Sequence, residues 1–369
     1  MRVIVGLSGG VDSAVAALLL KRAGQDVAGM FMQNWEDDEL DSACRADEDR
    51  KDALAVCAKL GIPFHTRNFA AEYRERVFAH FLSEYRAGRT PNPDVLCNRE
   101  IKFRTFLDAA RELGAEKIAT GHYARAVHED GRYKLLRATD ADKDQTYFLH
   151  ALDQEQLGAA LFPLGELRKP QVRALAREAG FSVHDKKDST GICFIGERDF
   201  RAFLSKYLPA QPGELRTPEG EVLGEHHGAM FYTPGQRTGL RIGGRAGSAG
   251  EPWYVAGKDV GKNIVYVAQG AQNRWLMSRT LIAGNVHWIA GPEPAPPLRC
   301  EAMVRYRQQP QSCEINWTDK DMNVRFDEMQ RAVAPGQSVV FYAGDECLGG
   351  GVIESTDVPL IAPGSELAP

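Results

Sequence analysis

The chain opens with an apolar run that ends in a glycine-rich turn and leads directly into a helical pattern. Residues 2–7 are typical of a buried strand, residues 8–13 read Ser-Gly-Gly-Val-Asp-Ser, and the alanine- and leucine-rich stretch 14–20 belongs to a helix. A strand, a tight turn and a helix in this order form a cradle for phosphate. Glycine allows close backbone approach, and the first N–H groups of a helix lack intrahelical partners. This segment therefore predicts an α/β fold that binds a phosphorylated ligand.

The glycine spacing excludes two common phosphate-binding loops. The turn lacks the Gly-Lys-Ser/Thr of a Walker A loop, and its spacing does not fit the Gly-x-Gly-x-x-Gly of dinucleotide-binding folds. It resembles instead the PP-loop of the ATP pyrophosphatases. That resemblance implies that the turn holds ATP, that AMP passes to an oxygen of the substrate, and that pyrophosphate leaves. Ser8 and Ser13 add hydroxyl donors, and Asp12 is a candidate ligand for Mg²⁺ that accompanies ATP.

Strand and helix patterns alternate through the first half of the chain. We predict strands over residues 2–7, 26–32, 64–69 and 117–120, and helices over 13–23, 47–60, 71–86 and 98–113. This order indicates a doubly wound parallel sheet with helices on both faces. Ligands of such sheets bind at the carboxyl ends of the strands, where the turn at 8–13, Met32 and Gly121 all fall.

The second half of the chain differs from the first in composition and in its hydrophobic pattern. Residues 211–262 are rich in Gly and Pro with short strand-like runs, and short alternating runs follow the proline-rich stretch 292–297. The first pattern indicates a small, mostly β domain and the second an antiparallel β-barrel. We therefore predict a PP-loop catalytic domain over 1–197, a central β domain over 198–277, a barrel over 278–357 and a tail over 358–369.

Composition limits the functional classes. The chain is 43% hydrophobic and 26% charged, has no apolar run near the roughly 18 residues of a membrane span, and shows no targeting pattern at its N-terminus, so we expect a soluble cytoplasmic protein without a membrane partner. Its net charge of −5 does not favour nucleic-acid binding, so an RNA partner must be argued from motifs. Seven cysteines without a Cys-x-x-Cys predict neither a zinc site nor an iron–sulfur cluster.

Two cysteines stand in unusual surroundings. Cys97 lies in Asn-Pro-Asp-Val-Leu-Cys-Asn near the predicted start of a helix, where the helix N-terminus stabilises a thiolate and Arg99 or Lys102 can add positive charge. Cys193 lies in Gly-Ile-Cys-Phe-Ile-Gly, shortly after a pair of lysines. Each is a candidate nucleophile, and for each the alternative is a packed structural cysteine.

The three segments together have the order and spacing found in the tRNA-specific 2-thiouridylases. The resemblance runs nearly end to end and includes the motifs at 29–35, 121–125, 143–149, 231–237 and 305–307. Members of that family place sulfur on C2 of the wobble uridine in tRNAs for Lys, Glu and Gln. The resemblance therefore implies a tRNA-uridine 2-sulfurtransferase whose substrates are ATP and tRNA.

The resemblance also implies a role for individual residues. The implied ATP site comprises Gly6, Leu7, Ser8, Gly9, Gly10, Val11, Asp12, Ser13, Met32 and Gly121. The target base is expected at Asn92, Pro93 and Asp94, with Asp94 as acid/base, Cys193 as persulfide carrier and Cys97 as partner thiol. Implied tRNA contacts are His122, Lys143, Asp144, Gln145, Arg305, Tyr306 and Gln337. Some of these have ordinary alternatives, such as Met32 as strand core, His122 as a helix cap, or Arg305 and Tyr306 as an outward-facing strand pair.

The implied reaction has two stages, and the route of sulfur transfer in the second stage is open. AMP is transferred to O2 of the uridine, and sulfur from a persulfide on Cys193 then replaces it, either by direct attack or after Cys97 liberates sulfide. Both routes end in a Cys97–Cys193 disulfide, so a persulfide donor protein and a reductant are expected partners. Two other classes remain. One is another PP-loop enzyme, either a different tRNA thiolase or an amidotransferase- or synthetase-type enzyme that adenylates a small molecule. The other is a non-catalytic RNA-binding or sulfur-relay scaffold.

Overall fold

The computed structural model describes residues 1–36, 40–187, 200–243, 250–317 and 321–358. Its strands are β1 (Arg2–Leu7), β2 (Asp26–Gln33), β3 (Phe64–Asn68), β4 (Lys117–Ala119), β5 (Arg125–Glu129), β6 (Arg132–Leu136), β7 (Ala160–Leu161), β8 (Gly213–Arg216), β9 (Val222–His226), β10 (Trp253–Asp259), β11 (Ile264–Gln269), β12 (Met277–Trp288), β13 (Leu298–Met303), β14 (Gln311–Trp317), β15 (Met322–Arg331), β16 (Ser338–Ala343) and β17 (Glu346–Thr356). Three sheets result from their pairing.

Helices connect the first strands and extend between the sheets. They are α1 (Val11–Arg22), α2 (Leu40–Leu60), α3 (Ala70–Tyr73), α4 (Ala79–Arg86), α5 (Pro93–Leu96), α6 (Phe106–Glu112), α7 (Thr146–Leu149), α8 (Gln154–Ala159), α9 (Lys169–Glu178) and α10 (Phe200–Ser205). Two π-helical stretches, Arg74–Phe78 and Cys97–Thr105, join α3 to α4 and α5 to α6 without a break. Short 3₁₀ helices cover Ser182–Asp185, Ala229–Phe231 and Arg274–Leu276.

The first sheet is parallel, as the alternating pattern predicted. Its strand order is β3-β2-β1-β4-β7, and each neighbouring pair runs in the same direction. β1 lies at the centre and is buried from Val3 onward, which explains its unbroken apolar sequence. Because all five strands point the same way, their carboxyl ends form one edge, and the glycine turn lies there.

Two predicted helices begin earlier than expected. α2 starts at Leu40 rather than near residue 47, and the helix expected from residue 98 starts at Pro93, with Asn92 as its N-cap. The first turns of α2 carry many polar residues and so lack the apolar period by which a helix is recognised. In the second case Pro93 at the first helical position is itself a start signal, because proline already has the required φ.

The second sheet forms the central β region, and the third forms the barrel. The central sheet has the order β10-β11-β8-β9. The order β12-β15-β14-β13-β16-β17, with an additional β12–β17 pairing, closes six antiparallel strands into the predicted barrel. The mixed fold class is therefore confirmed, whereas the exact domain boundaries stay predictions.

A hairpin links the parallel-sheet region to the barrel. β5 and β6 pair with each other, and β6 continues the barrel sheet through Leu135 and Leu136 opposite Cys347 and Glu346 of β17. One apolar cluster contains residues from all three sheets, including Ile4, Leu135, Val265 and Tyr342. No helix within the described ranges is long and apolar enough to cross a membrane.

Candidate active site

The glycine turn has the geometry of an anion cradle. Gly9 adopts a left-handed backbone (φ +71°), and Gly10 is the extended N-cap from which α1 begins at Val11. The Ser13 hydroxyl lies 3.2 Å from the Ser8 amide nitrogen, which donates to it, and donates in turn to the Gly10 carbonyl at 3.1 Å. These bonds fix the turn, while the N–H groups of the first turn of α1 face the carboxyl edge of the sheet.

Asp12 is held by two partners that the sequence did not identify. The Lys169 ammonium lies 2.8 and 2.7 Å from the two carboxylate oxygens, and the Tyr123 hydroxyl donates to the first at 2.8 Å. The Lys169 side chain is only 10% exposed. A buried lysine therefore places positive charge beside the cradle. Its sequence signal was a Lys-Pro pair at a helix start, which alone looks like ordinary helix initiation.

The same contacts bear on the predicted magnesium ligand. The Asp12 carboxylate is already paired with a cation, and no cluster of three or more His, Cys, Asp or Glu residues suited to a metal occurs in the part of the chain that the structure describes. These residues are therefore poorly suited to a resident metal ion held by the protein alone. They fit better a Mg²⁺ ion that enters together with a polyphosphate. Asp12 stays a candidate ligand for such an ion.

Gly121 and Gly6 bring neighbouring strands against the cradle. A Cβ on Gly121 would lie 2.7 Å from the Ser13 nitrogen and 2.8 Å from the Asp12 carbonyl carbon, so no side chain fits there. A Cβ on Gly6 would lie 3.1 Å from the Met32 methyl and 3.2 Å from the Phe106 ring. Met32 and Gly121, predicted from distant segments, therefore lie on either side of the cradle, Met32 against β1 and Gly121 against the first turn of α1.

The Asn-Pro-Asp segment forms the start of a helix. The Asn92 side-chain oxygen accepts a hydrogen bond from the Asp94 N–H at 3.2 Å, and Pro93 occupies the first helical position. Burial raises the pKa of Asp94 above its ordinary value, and Lys102 opposes that rise. A carboxyl group whose proton is held more tightly than usual is suited to acid/base chemistry near neutral pH.

Cys97 lies one turn further along the same helix. It is the first residue of the π-helical stretch Cys97–Thr105 and is 1% exposed. π-Helical turns are rare and are often found at functional sites, because the wider turn changes which side chains share a face. Cys97 thus follows Asp94 by three residues. Because the side chain is buried, its thiol must become accessible before it can react.

His122 belongs to the same electrostatic neighbourhood. Its Nδ1 is 2.8 Å from the Thr120 hydroxyl, and its ring lies 5.8 Å from Phe103. Burial first, and Lys102 second, lower the pKa of His122 well below its ordinary value, so the ring is neutral. Because Lys102 acts on both Asp94 and His122, the structure brings these two predicted residues close to one cation.

The predicted contacts at 143–145 are engaged within the protein. The Asp144 carboxylate accepts from the Ala138 N–H at 3.0 Å and the Thr146 hydroxyl at 2.7 Å, and burial raises its pKa. The Gln145 side-chain oxygen accepts from the Tyr123 N–H at 3.0 Å. Lys143 is half-buried. This segment therefore supports Tyr123, and through it Asp12.

Two of the predicted contacts in the barrel are joined to other parts of the chain. Arg305 donates to the carbonyls of Pro234 and Ala332, each at 2.6 Å, and burial lowers its pKa. The Tyr306 ring packs on Phe148 at 4.4 Å between centroids. Neither residue is the ordinary outward-facing strand pair that was the alternative, since both follow the end of β13.

Gln337 contacts the segment that leads to Asp94. Its side-chain amide donates to the Thr90 carbonyl at 2.7 Å, and the Thr90 N–H donates to the Pro335 carbonyl at 2.9 Å. The Thr90 hydroxyl is 3.1 Å from that of Thr233. Thr90 is thus the point at which the helical region, the central β region and the barrel meet.

The second predicted nucleophile cannot be placed. Cys193 lies outside the described residues, so the structure tests neither its surroundings nor its pairing with Cys97. Among the other cysteines, burial raises the pKa of Cys57 to about 11, which is typical of an inert core thiol. Cys300 and Cys313 face each other across β13 and β14 with 3.7 Å between their sulfur atoms.

The chain is similar to known proteins along nearly its whole length. Residues 1–197 match the model of the tRNA methyl transferase HUP domain, 201–269 that of the tRNA methyl transferase PRC-barrel domain, and 278–353 that of the aminomethyltransferase beta-barrel domain. Two proteins called tRNA-specific 2-thiouridylase MnmA, from Xanthomonas axonopodis pv. citri and Stenotrophomonas maltophilia, are each 58% identical over 97% of this chain and 95% of their own length. A solved 4-thiouridine synthetase–RNA complex with bound ATP matches 56% of this chain and 49% of its own at 16% identity and a TM-score of 0.31.

Proposed function

This chain belongs to the tRNA-specific 2-thiouridylase family, and from that premise we propose that it uses ATP to replace O2 of a uridine in tRNA with sulfur. The identity of 58% over nearly the whole length supports this activity. The geometry that carries the proposal is the cradle at Gly9–Ser13, with the Lys169–Asp12 pair beside it and Gly121 packed against it. We further propose the wobble uridine of tRNAs for Lys, Glu and Gln as the target.

In the first stage, O2 of the uridine attacks the α-phosphorus of ATP, the bond to the β-phosphate breaks, and pyrophosphate leaves. The first N–H groups of α1 and the hydroxyl of Ser8 hold phosphate oxygens, and Lys169 adds positive charge beside them. Asp12 would help to hold a Mg²⁺ ion that enters with ATP, and such an ion would neutralise part of the phosphate charge. Met32, against β1, and Gly121, against the first turn of α1, offer an apolar surface and backbone to the adenosine.

Asp94 acts as the acid/base at the target base: it takes the N3 proton of the uridine as O2 bonds to phosphorus and returns it when the thiocarbonyl forms. Burial raises the pKa of Asp94, so this carboxyl holds a proton more readily than an exposed aspartate does, and Asn92 and Pro93 hold it at a helix start. Lys102 limits the rise of the Asp94 pKa, and it adds to the burial that lowers the pKa of His122. We assign Arg305, Tyr306 and Gln337 to the tRNA-facing surface around Thr90, and Lys143, Asp144 and Gln145 to the support of Tyr123.

The second stage transfers sulfur from a persulfide on Cys193. In one route the terminal sulfur bonds to C2 and AMP leaves, after which the Cys97 thiolate attacks Cys193 and breaks the S–S bond. In the other route Cys97 attacks first and releases sulfide, which displaces AMP from C2. Each route forms a Cys97–Cys193 disulfide, so a persulfide-bearing donor protein and a thiol reductant complete the cycle.

Pyrophosphate release measured with and without tRNA tests this function. We expect release that depends on a tRNA with uridine at the wobble position and that is lost in Asp12→Ala, whereas Cys193→Ser still releases pyrophosphate but forms no thiolated base. Cys300→Ser is the matched cysteine control and should keep full thiolation. Release driven by a small molecule without tRNA would indicate another adenylating enzyme, and no release at all would indicate a scaffold.

A further inference from the structure

Lys186 contacts the glycine turn from outside the proposed phosphate site. Its ammonium nitrogen is 3.0 Å from the Gly9 carbonyl oxygen, 2.7 Å from an Asp49 carboxylate oxygen and 2.6 Å from an Asp52 carboxylate oxygen. An ammonium group has three N–H donors, and three oxygens match them. The lysine therefore fastens the turn to the two carboxylates of α2.

The backbone of α2 reaches the turn at the same point. A Cβ on Gly9 would lie 2.5 Å from the Asp49 carbonyl oxygen and 2.7 Å from its Cα, closer than any side chain tolerates. Gly9 also has a φ of +71°, which favours glycine. The Gly9 peptide is thus contacted on its outer side by both α2 and Lys186.

The orientation of this peptide matters for phosphate binding. In a trans peptide the carbonyl and the next N–H point in opposite directions. We propose that Lys186 is a positioning residue for the nucleotide: by holding the Gly9 carbonyl outward, it turns the Gly10 N–H toward the phosphates and keeps the carbonyl dipole away from them. This role rests on the proposed function, because it presumes ATP in the cradle.

Helix α9 and the segment after it contact the turn at both Gly9 and Asp12. The Arg173 guanidinium, on α9, donates to the His184 carbonyl at 2.8 Å and the Lys186 carbonyl at 3.1 Å. The same helix begins with Lys169, which pairs with Asp12. Lys186 and Lys169 therefore fix Gly9 and Asp12 from a common support, so the N–H groups between them are oriented before the ligand arrives.

Binding of ATP alone, measured by calorimetry on the full chain, tests the role of Lys186. We expect Lys186→Met to weaken ATP binding at least tenfold, and Lys186→Arg to restore it largely, because a guanidinium can still donate to the Gly9 carbonyl. Lys59→Met is the matched control: it also removes a lysine bond to a backbone carbonyl, that of Gly180 at 2.7 Å, but away from the turn. It should bind ATP like the wild type.

Steady-state pyrophosphate release supplies a second readout. Lys186→Met should raise the KM for ATP by a similar factor, with a smaller effect on kcat and on the KM for tRNA. Equal ATP affinity in Lys186→Met and wild type, or an arginine variant as weak as the methionine variant, overturns the positioning role while leaving the proposed function intact. A wild-type protein that binds no ATP overturns the proposed function, and this role with it.

Discussion

At the scale of single residues, one ion pair and one further lysine determine the electrostatics of the candidate site. Lys169 pairs with Asp12 at the cradle, and Lys102 acts on both Asp94 and His122. A buried charge without a partner is strongly unfavourable, so loss of one member affects stability as well as binding. Variants at these positions therefore need a stability measurement beside every activity measurement.

The Lys169–Asp12 pair gives the first prediction. Lys169→Met leaves the Asp12 carboxylate with the Tyr123 hydroxyl, so we expect a loss of about 2–4 kcal/mol in the free energy of unfolding and at least a tenfold loss of ATP affinity. Denaturant unfolding and calorimetry check the two effects. Arg22→Gln, which breaks the exposed Arg22–Glu178 pair, should leave both nearly unchanged. Unaltered ATP affinity in Lys169→Met would remove this lysine from the site.

The raised pKa of Asp94 gives the second prediction. We expect Asp94→Asn to lose thiolation at least 100-fold but to be as stable as the wild type or more so at a pH above the raised pKa, because desolvation disfavours the ionised carboxylate that the wild type then carries. The native state holds this proton more tightly than the unfolded chain. The wild type therefore gains stability relative to the variant as the pH falls through the raised pKa, until the unfolded value is passed.

Thermal unfolding of the wild type and of Asp94→Asn across acidic to neutral pH checks the direction in which their stability difference changes with pH. Asp108→Asn is the control, because the Asp108 side chain is 65% exposed and its removal should produce no such pH-dependent difference. An Asp94→Asn protein that is less stable than wild type at neutral pH, by an amount independent of pH, contradicts the assignment. Retained thiolation contradicts the acid/base role.

At the scale of elements, the sequence predicted what local patterns determine. The β1–α1–β2 unit, the parallel sheet and the closed barrel follow from apolar periods and from the glycine turn. The hairpin β5–β6 was overlooked although its Asp130-Gly131 turn, with both residues at positive φ, is a local hairpin signal; only the pairing of β6 with β17 depends on residues distant in sequence. Lys169 and Lys186 were missed as turn partners because only the fold brings them to Asp12 and Gly9. The surroundings of Cys193 stay a prediction, since it lies outside the described residues.

The segment around Thr90 gives the third prediction. Gln337→Ala removes the bond to the Thr90 carbonyl, which precedes Asn92 and Asp94, and we expect a five- to fiftyfold loss in kcat/KM for tRNA with unchanged ATP affinity. Asn323→Ala, at an exposed position of the same barrel, is the control and should behave like wild type. An equal loss of ATP affinity would show that the contact acts on the whole protein instead of the base-binding segment.

At the scale of the whole molecule, the three sheets depend on one another. β6 extends the barrel sheet, and a single apolar cluster reaches from Ile4 in the parallel sheet to Tyr342 in the barrel. Removing the barrel therefore leaves an unpaired strand edge and exposes apolar surface. The nucleotide site and the surface around Thr90 are accordingly built on one connected core.

Truncation gives the fourth prediction. A chain ending at residue 277 should melt at least 5 °C below the full chain and should bind a dye specific for exposed apolar surface. Calorimetric melting and dye fluorescence measure these effects, and full-length protein under the same conditions is the reference. An unchanged melting temperature for the truncated chain would show that the parallel-sheet region folds independently of the barrel.

The central claim is ATP-dependent sulfur transfer to uridine in tRNA, and mass spectrometry of tRNA nucleosides tests it most directly. After incubation with ATP, Mg²⁺ and a persulfide donor, we predict 2-thiouridine at the wobble position with the wild type and with Cys300→Ser, and none with Cys193→Ser, Cys97→Ser or without ATP. Robust 2-thiouridine formation by Cys193→Ser, or none by the wild type with every substrate present, contradicts the account.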